Sequence, residues 1–596
     1  MTGSLAKAAL SFIFALVLMA KAPAFSQSDV GAPVQLPGAG TGEDEEAPAN
    51  TVPQSVPIRP GSSDLGIQVG VIASRAPTIG MLSGSDGLGG EIWIGTTATQ
   101  AQILLNQIPI GAPSRAMGDL VRLLLLTASR PPEDQRGGDT ILDLRLERSL
   151  DAGLIDAVPV MIDQATHLVN DPEVTNLRAE TILLTRGGVG ACTNETANRF
   201  ESEEPFWMKL RAYCFVHQGL IPAARLTADL LYEIGDEDEL FQDLLERLAG
   251  NSDMEIGGPF DTPSALHLAM MRDANIVPEL ARGETTSLSI ARSMAREPNW
   301  SSEEGIAYRI EMAERAARSG VMTSPELLNV YQEAAPYDTS QRTQQLSAAA
   351  NNVSPVSRAI FAEAAVVDGI TGARAEVMTA ALSAADPNIA NAYAAALGRG
   401  TRDMKAEDVL AWASYNFAVT ALADGNMFAA YDWFDTYSRS AEPAPARVQA
   451  LQVAIMMAAA SERFAFWPEH AFRWLEQADL GDLSHTRLTS QLMWFEAMGY
   501  EIPPAVRERL ALHENDLAGV APPPAVIGNL RRATEAGRMG ETVAYALVAV
   551  GPGGPNAAHP AAVAEAIRAL RLAGRVNEAR ALASEALLGF ALEDVE

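Results

Sequence analysis

The feature that most constrains this chain is a recurring unit: one helical segment ends at a glycine, a few turn residues follow, and a second segment with alanines on its inner face begins. It is clearest where 206–217 is followed by Gly219 and then by 222–233. Pro222 suits a first helical turn, where its missing N–H is not needed, and Arg225, Asp229 and Glu233 fall on one solvent stripe. A hairpin of this layout cannot bury both of its faces alone, so it must stack on neighbours. Further copies are read at 312–320 leading into 324–332, at 411–425 leading into 428–437, and in two hairpins near the C-terminal end. Those two align at an offset of 37: Arg531 with Arg568, Ala536-Gly537-Arg538 with Ala573-Gly574-Arg575, Glu541 with Glu578, Ala544 with Ala581, and Ala546 with Ala583.

Length supports a stacked architecture. A chain of 596 residues exceeds what one hydrophobic core usually serves, and abundant alanine and leucine with only 6% aromatics favour helices. Regular helix is expected from Ser114, placed to cap. Met117, Leu120, Val121, Leu124, Leu125 and Ala128 follow at steps of three and four until Pro131-Pro132. Leu123 and Leu126 add apolar surface on other faces, so this helix should be covered on more than one side. Pro522-Pro523-Pro524 marks a second boundary, since consecutive prolines cannot continue a helix. The expected fold is all-α, an α-solenoid of stacked helical hairpins: a helical-repeat array over 114–519 and C-terminal helical hairpins over 520–596.

In the best copy the chain resembles the tetratricopeptide family of helical-hairpin repeats. Trp207, Leu210 and Ala223 fall where that family places its tryptophan, its leucine and a small residue of the second helix. Arg211 stands where the family has a small residue, Cys214 replaces its aromatic, and Gly235 its closing proline. The chain is thus similar to a degenerate, TPR-like relative over 114–588. The resemblance implies a superhelical array whose concave face binds protein or peptide, with no binding residue carried over by position.

The N-terminal 113 residues differ. Residues 1–26 carry Lys7, an apolar run over 8–20 and small residues ending in Ala24-Phe25-Ser26, the pattern of an export signal cleaved between Ser26 and Gln27. The run stops at Lys21, short of the ~20 apolar residues that cross a membrane, so no membrane insertion is expected after cleavage. Residues 27–64, rich in Pro, Gly and acids, read as a disordered linker. Residues 65–113 read as an irregular or β-containing segment, with short β-branched runs broken by Gly84, Gly87, Gly89 and Gly90 and room for a small hairpin. No lysine follows these glycines, which argues against a phosphate loop.

The full chain has a net charge of −31. Removing residues 1–26 takes away Lys7 and Lys21 and no acid, which leaves 42 basic against 75 acidic side chains and a net charge of −33. Such a chain repels phosphate backbones, so nucleic acid is not an expected partner. From Ala525 onward, seven arginines face eight acids, so almost all of the acidity belongs to the preceding array.

Little catalytic chemistry is legible. His167, His217, His267, His470, His485, His513 and His559 are scattered without the spacing that puts two ligands on one helical face, so no metal site and no cofactor are expected. No Gly-x-Ser-x-Gly occurs, and the Ser-x-x-Lys at Ser4 and Lys7 lies inside the export signal. Asp236-Glu237-Asp238-Glu239 lacks the central glycine of a calcium loop and reads as a polar turn before a helix starting near Leu240. Cys192 and Cys214, an even pair in an exported chain, are expected to form a disulfide. Aromatics cluster at Trp412, Tyr415, Tyr431, Trp433, Phe434 and Tyr437, then at Phe464, Phe466, Trp467, Phe472 and Trp474. Their spacing fits core seams, and a sugar platform is the alternative.

These readings imply an acidic protein, periplasmic or secreted. It would serve as a non-enzymatic scaffold or adaptor that binds an envelope protein or peptide through its helical-repeat surface. The alternative is a peptidoglycan-active envelope enzyme, or a regulator of a cell-wall synthase. Clearing in a cell-wall zymogram separates the enzyme from the binder.

Overall fold

A computed structural model describes residues 78–593 apart from 136–139, 169–170, 194–201, 252–253, 259, 261–262, 279–286, 298–299, 301, 368, 370, 460–484 and 512–516. The expected signal with its Ser26–Gln27 junction, and the linker at 27–64, lie outside the described residues. The described chain is all-α. Its helices are α1 (Ala98–Gln107), α2 (Arg115–Leu126), α3 (Thr140–Asp151), α4 (Ala157–Gln164), α5 (Pro172–Ala191), α6 (Pro205–His217), α7 (Ile221–Glu233), α8 (Glu239–Leu248), α9 (Ala265–Asp273) and α10 (Leu288–Ala295). They continue as α11 (Glu303–Arg318), α12 (Ser324–Ala334), α13 (Arg342–Asn351), α14 (Pro355–Val367), α15 (Thr371–Ser383), α16 (Ala390–Gly398), α17 (Ser414–Ala423), α18 (Met427–Ser438) and α19 (Pro445–Ala458). After them come α20 (His485–Ala497), α21 (Pro504–Ala511), α22 (Pro524–Glu535), α23 (Met539–Val550), α24 (Gly554–Ala557), α25 (Pro560–Leu572) and α26 (Val576–Glu593).

The glycine turns behave as their sequence demands. Between α6 and α7, Gly219 sits at φ +74°, the left-handed region that costs glycine little, and the next N–H, of Leu220, donates to Phe215 O at 2.8 Å. The two C-terminal hairpins repeat this geometry at the 37-residue offset. Gly537 and Gly574 have φ of +68° and +80°, while Arg538 N and Arg575 N donate back to Ala533 O and Leu570 O at 2.9 and 2.8 Å. Even the side chains follow: Arg538 pairs with Glu541 and Arg575 with Glu578. The Ala-Gly-Arg match therefore corresponds to one hairpin geometry used twice.

Two hydrophobic clusters result. One is built mainly on α3–α10, from Ile79 and Leu126 through Met208, Phe241 and Met294. The larger one is carried by α1, α2 and most helices from α11 onward. Its organiser is α26, whose inner face of small residues, Ala579, Ala583, Ala586, Gly589 and Ala591, lets several helices approach. It packs against α2, α16, α17, α19 and α25. The α2–α26 contact departs from nearest-neighbour stacking, because it joins helices at opposite ends of the described chain. Glu585 of α26 accepts hydrogen bonds from Ser114 Oγ, Arg115 N and Ala116 N at 3.1, 3.1 and 2.8 Å. Ser114 Oγ in turn accepts from Met117 N at 3.2 Å, as its sequence position predicts. A residue 471 positions away thus completes the cap of α2.

The N-terminal stretch differs from its reading in two ways. It contains a regular helix, α1, with Thr97 as its cap. The described part forms no hairpin with itself; Ile79 and Leu82 instead make isolated bridges to Ser129 and Thr127, just past α2. That pairing ends α2 at Leu126, so Ala128 falls outside the helix. Arg145 of α3 stitches the junction, donating to Ile79 O, Leu125 O and Thr127 O. Burial lowers this guanidinium to about 10, and carbonyl oxygens rather than a carboxylate satisfy it.

Candidate interaction surface

Among the sequence-selected residues, Cys192 and Cys214 are brought together: their sulfurs lie 2.03 Å apart. Cys192 follows the last residue of α5 and Cys214 is buried on α6, so the bond ties the ends of two successive helices. The approach is set by backbone. α5 kinks at Gly187, φ +65°, and the adjoining Gly188 lies so close to α6 that a Cβ there would sit 2.2 Å from Tyr213 Oη and 2.4 Å from His217 Nε2. Asp273 of α9 then receives the Tyr213 hydroxyl and lies 2.9 Å from His217 Nε2. Burial works against the Asp273 carboxylate, but His217 and Tyr213 more than compensate and hold it below its ordinary range. Burial beside Asp273 raises the Tyr213 phenol, so it stays a donor.

A second polar group fixes the other end of α6. Lys209 Nζ lies 2.9 Å from Asp236 and 2.7 Å from Asp238, and His267 Nε2 is 3.0 Å from Asp238. Asp238 also caps α8 by accepting from Phe241 N at 3.1 Å. Burial opposes its ionisation, yet the contacts to His267 and Lys209 hold it far below the usual carboxylate range. The acidic tetrad is thus a helix-starting turn whose first and third acids clasp a lysine.

With α6 and α8 held, α7 presents its outer face. Ala224, Thr227, Ala228 and Leu231 are buried against the module. Leu226, Leu230 and Ile234 are 61, 43 and 57% exposed, at the four-residue spacing that lines up one stripe. Asp229 and Glu233 border this stripe on the solvent side, while Arg225 is drawn to Glu246 of α8 at 2.8 Å. Sequence reasoning found the charged stripe and missed the apolar one. The signal was present in the 226/230/234 period, but an apolar period ordinarily marks a buried face.

The first aromatic cluster is largely core. Tyr415, Trp433, Phe434 and Tyr437 are buried, with Phe417 and Trp433 rings 4.5 Å apart, whereas Trp412 is exposed. The second cluster, 464–474, lies outside the described residues. Among the described residues no group of three or more His, Cys, Asp or Glu is arranged to hold a metal, and no helix is long and apolar enough to cross a membrane. Comparison of the chain with protein-family models, with curated proteins and with solved structures returns no match.

Proposed function

We propose that this protein is an exported, non-enzymatic scaffold or adaptor that takes an envelope protein on the outer face of α7. One observation carries the reading: three large aliphatic side chains in register are left in water on a helix whose flanks are pinned by a disulfide and two polar clusters. A rigid apolar stripe of this kind suits a helix-in-groove or helix-on-helix partner, which anchors at i, i+4 and i+8 and loses little freedom on docking. The acids beside it, and the large negative charge of the chain, favour a partner helix with a basic border. Export rests on residues 1–26 and agrees with the paired cysteines. The Gly-turn hairpins support descent from a TPR-like solenoid, with the α2–α26 contact as a later closure.

The test is a photocrosslinker at position 226 in intact cells, with Val409, 73% exposed, as the control site. The expected result is a defined partner at 226 that is absent at 409 and is lost when Leu230→Asp is added. Retention of the same partner in the Leu230→Asp chain would remove α7 as the docking face.

A further inference from the structure

The start of α1 meets the α22–α23 hairpin around a polar notch of about 260 Å³. This is below the roughly 300–1,000 Å³ of sites for drug-sized molecules, so the notch fits a small ligand. Apart from Gly95, every residue that lines it carries a polar side chain. Arg532 and Thr97 are exposed, and Gln100, Asn529 and Arg538 are partly exposed, so the wall is accessible rather than sealed.

Its internal hydrogen bonds leave donors over. Arg532 donates to Asn529 Oδ1, which turns Asn529 Nδ2 toward Tyr545 Oη at 3.0 Å, and Gln100 Nε2 donates to the same hydroxyl at 2.7 Å. The hydroxyl thus accepts twice, and its own proton finds no acceptor among the described residues. Burial, and then Glu541, raise the phenol, so it keeps that proton. The one carboxylate of the wall, Glu541, is 3% exposed and pairs with Arg538 at 3.1 Å. Arg532 has no carboxylate within 4.0 Å among the described residues, although acids far outnumber bases in the chain. The notch therefore offers an anion the Arg532 guanidinium, the Tyr545 hydroxyl and the remaining amide N–H groups of Gln100 and Asn529, from three different helices.

The hairpin itself does not require this set. At the 37-residue offset Asn529, Arg532 and Tyr545 correspond to Ala566, Ala569 and Leu582, all buried, while Arg538 and Glu541 recur as the Arg575 and Glu578 pair. One turn geometry forms with either set, so the three polar residues are additional to the fold. We propose that the notch binds a tetrahedral oxyanion of the phosphate type, held by Arg532, Tyr545 and Gln100. A planar carboxylate can be satisfied by one guanidinium, whereas donors on three helices suit oxygens that point in several directions. The same chemistry occurs in inorganic phosphate and in the head of a phosphomonoester. The proposal is independent of partner docking on α7.

Calorimetric titration of the intact protein with inorganic phosphate, glycerol 1-phosphate and acetate at constant ionic strength tests it. The better of the two phosphates should bind at least about ten-fold more tightly than acetate, and Arg532→Gln should weaken it by about ten-fold. Arg531→Gln removes an equal charge at the neighbouring position outside the notch, and should leave the affinity unchanged. Installing the second hairpin's residues, Asn529→Ala with Arg532→Ala and Tyr545→Leu, should abolish binding. Because Arg532 is exposed and has no ion-pair partner, Arg532→Gln should melt with the parent, which separates lost binding from lost folding. Tighter binding of glycerol 1-phosphate identifies an esterified phosphate as the ligand, and tighter binding of inorganic phosphate the free ion. Binding of acetate equal to that of phosphate, no binding of either phosphate, unchanged affinity in Arg532→Gln, or an equal loss in Arg531→Gln overturns the proposal.

Discussion

The hairpin of α6 and α7 and the helix α26 are built from the same local rules, yet they are stabilised in different ways. α6 and α7 pack on each other and on α5 and α8, all close in sequence, and the module is tied by one disulfide and by ion pairs of short span. α26 instead gathers helices from both halves of the larger cluster. The region it organises also contains a buried charge pair: Arg358 of α14 grips both oxygens of Glu314 of α11 at 2.8 and 2.6 Å, and Tyr331 donates to the same carboxylate. Local modules can afford an exposed apolar face because covalent and short-range ties hold them. A core assembled from distant helices depends instead on dense burial and on pairing of the charges it encloses.

The strongest way to break the comparison is Glu314→Ala. It leaves Arg358 buried and uncompensated, and should cost about 3–5 kcal/mol in urea unfolding. The triple change Glu314→Leu, Arg358→Met and Tyr331→Phe should recover most of that, since the pair and the hydroxyl that donates to it are replaced by apolar packing of similar volume. A single variant that unfolds at the parent's midpoint would show that the larger core does not rest on this pair. Next in size is the disulfide. Cys192→Ser with Cys214→Ser should cost about 3 kcal/mol on the chain-entropy estimate. Hydrogen exchange should place the loss in α5–α9 and leave α26 protected; uniform loss of protection would erase the distinction between the two regions.

The smallest effect, acid response, separates the regions by sign. Burial raises Glu585 from 4.5 to about 6, and its hydrogen bonds from the start of α2 only partly offset this. Between those two values the folded chain keeps a proton that the unfolded chain has released. The contribution of Glu585 is therefore fully present below pH 4.5 and is lost as pH rises through about 6, by up to about 2 kcal/mol. Asp238, held below its ordinary 3.8, works the other way: its stabilisation is present above that value and is lost as pH falls toward its folded pKa. Glu585→Gln should flatten the stability profile between pH 4.5 and 6 without altering the acid limb below it; an unchanged slope would remove Glu585 as its source.

Much of the local structure could be read directly from the residues. Ser114 caps α2, Pro222 opens the first turn of α7, the acids of 236–239 start α8, and the two Ala-Gly-Arg turns share one geometry. Each of these depends on a few adjacent residues whose backbone preferences or side-chain reach are intrinsic. The paired cysteines were also legible, because an even pair in a chain expected to be exported points to a bridge. The pairing of Ile79 and Leu82 with residues after α2 was not legible, since an isolated bridge has no period to detect. The apolar stripe of α7 was written in its spacing, but spacing does not say which face finds a neighbour.

By itself, then, the sequence determined that this chain would be helical, punctuated by glycine turns and short of basic residues. Propensity, capping and charge are sums over nearby residues, and need no fold to be evaluated. Tertiary structure alone decided that α26 would close against α2 and that Glu585 would complete the cap of α2. These are contacts between segments far apart in the chain. Alanine-rich helix faces are alike enough that many pairings satisfy the pattern, and only the simultaneous packing of all of them selects one.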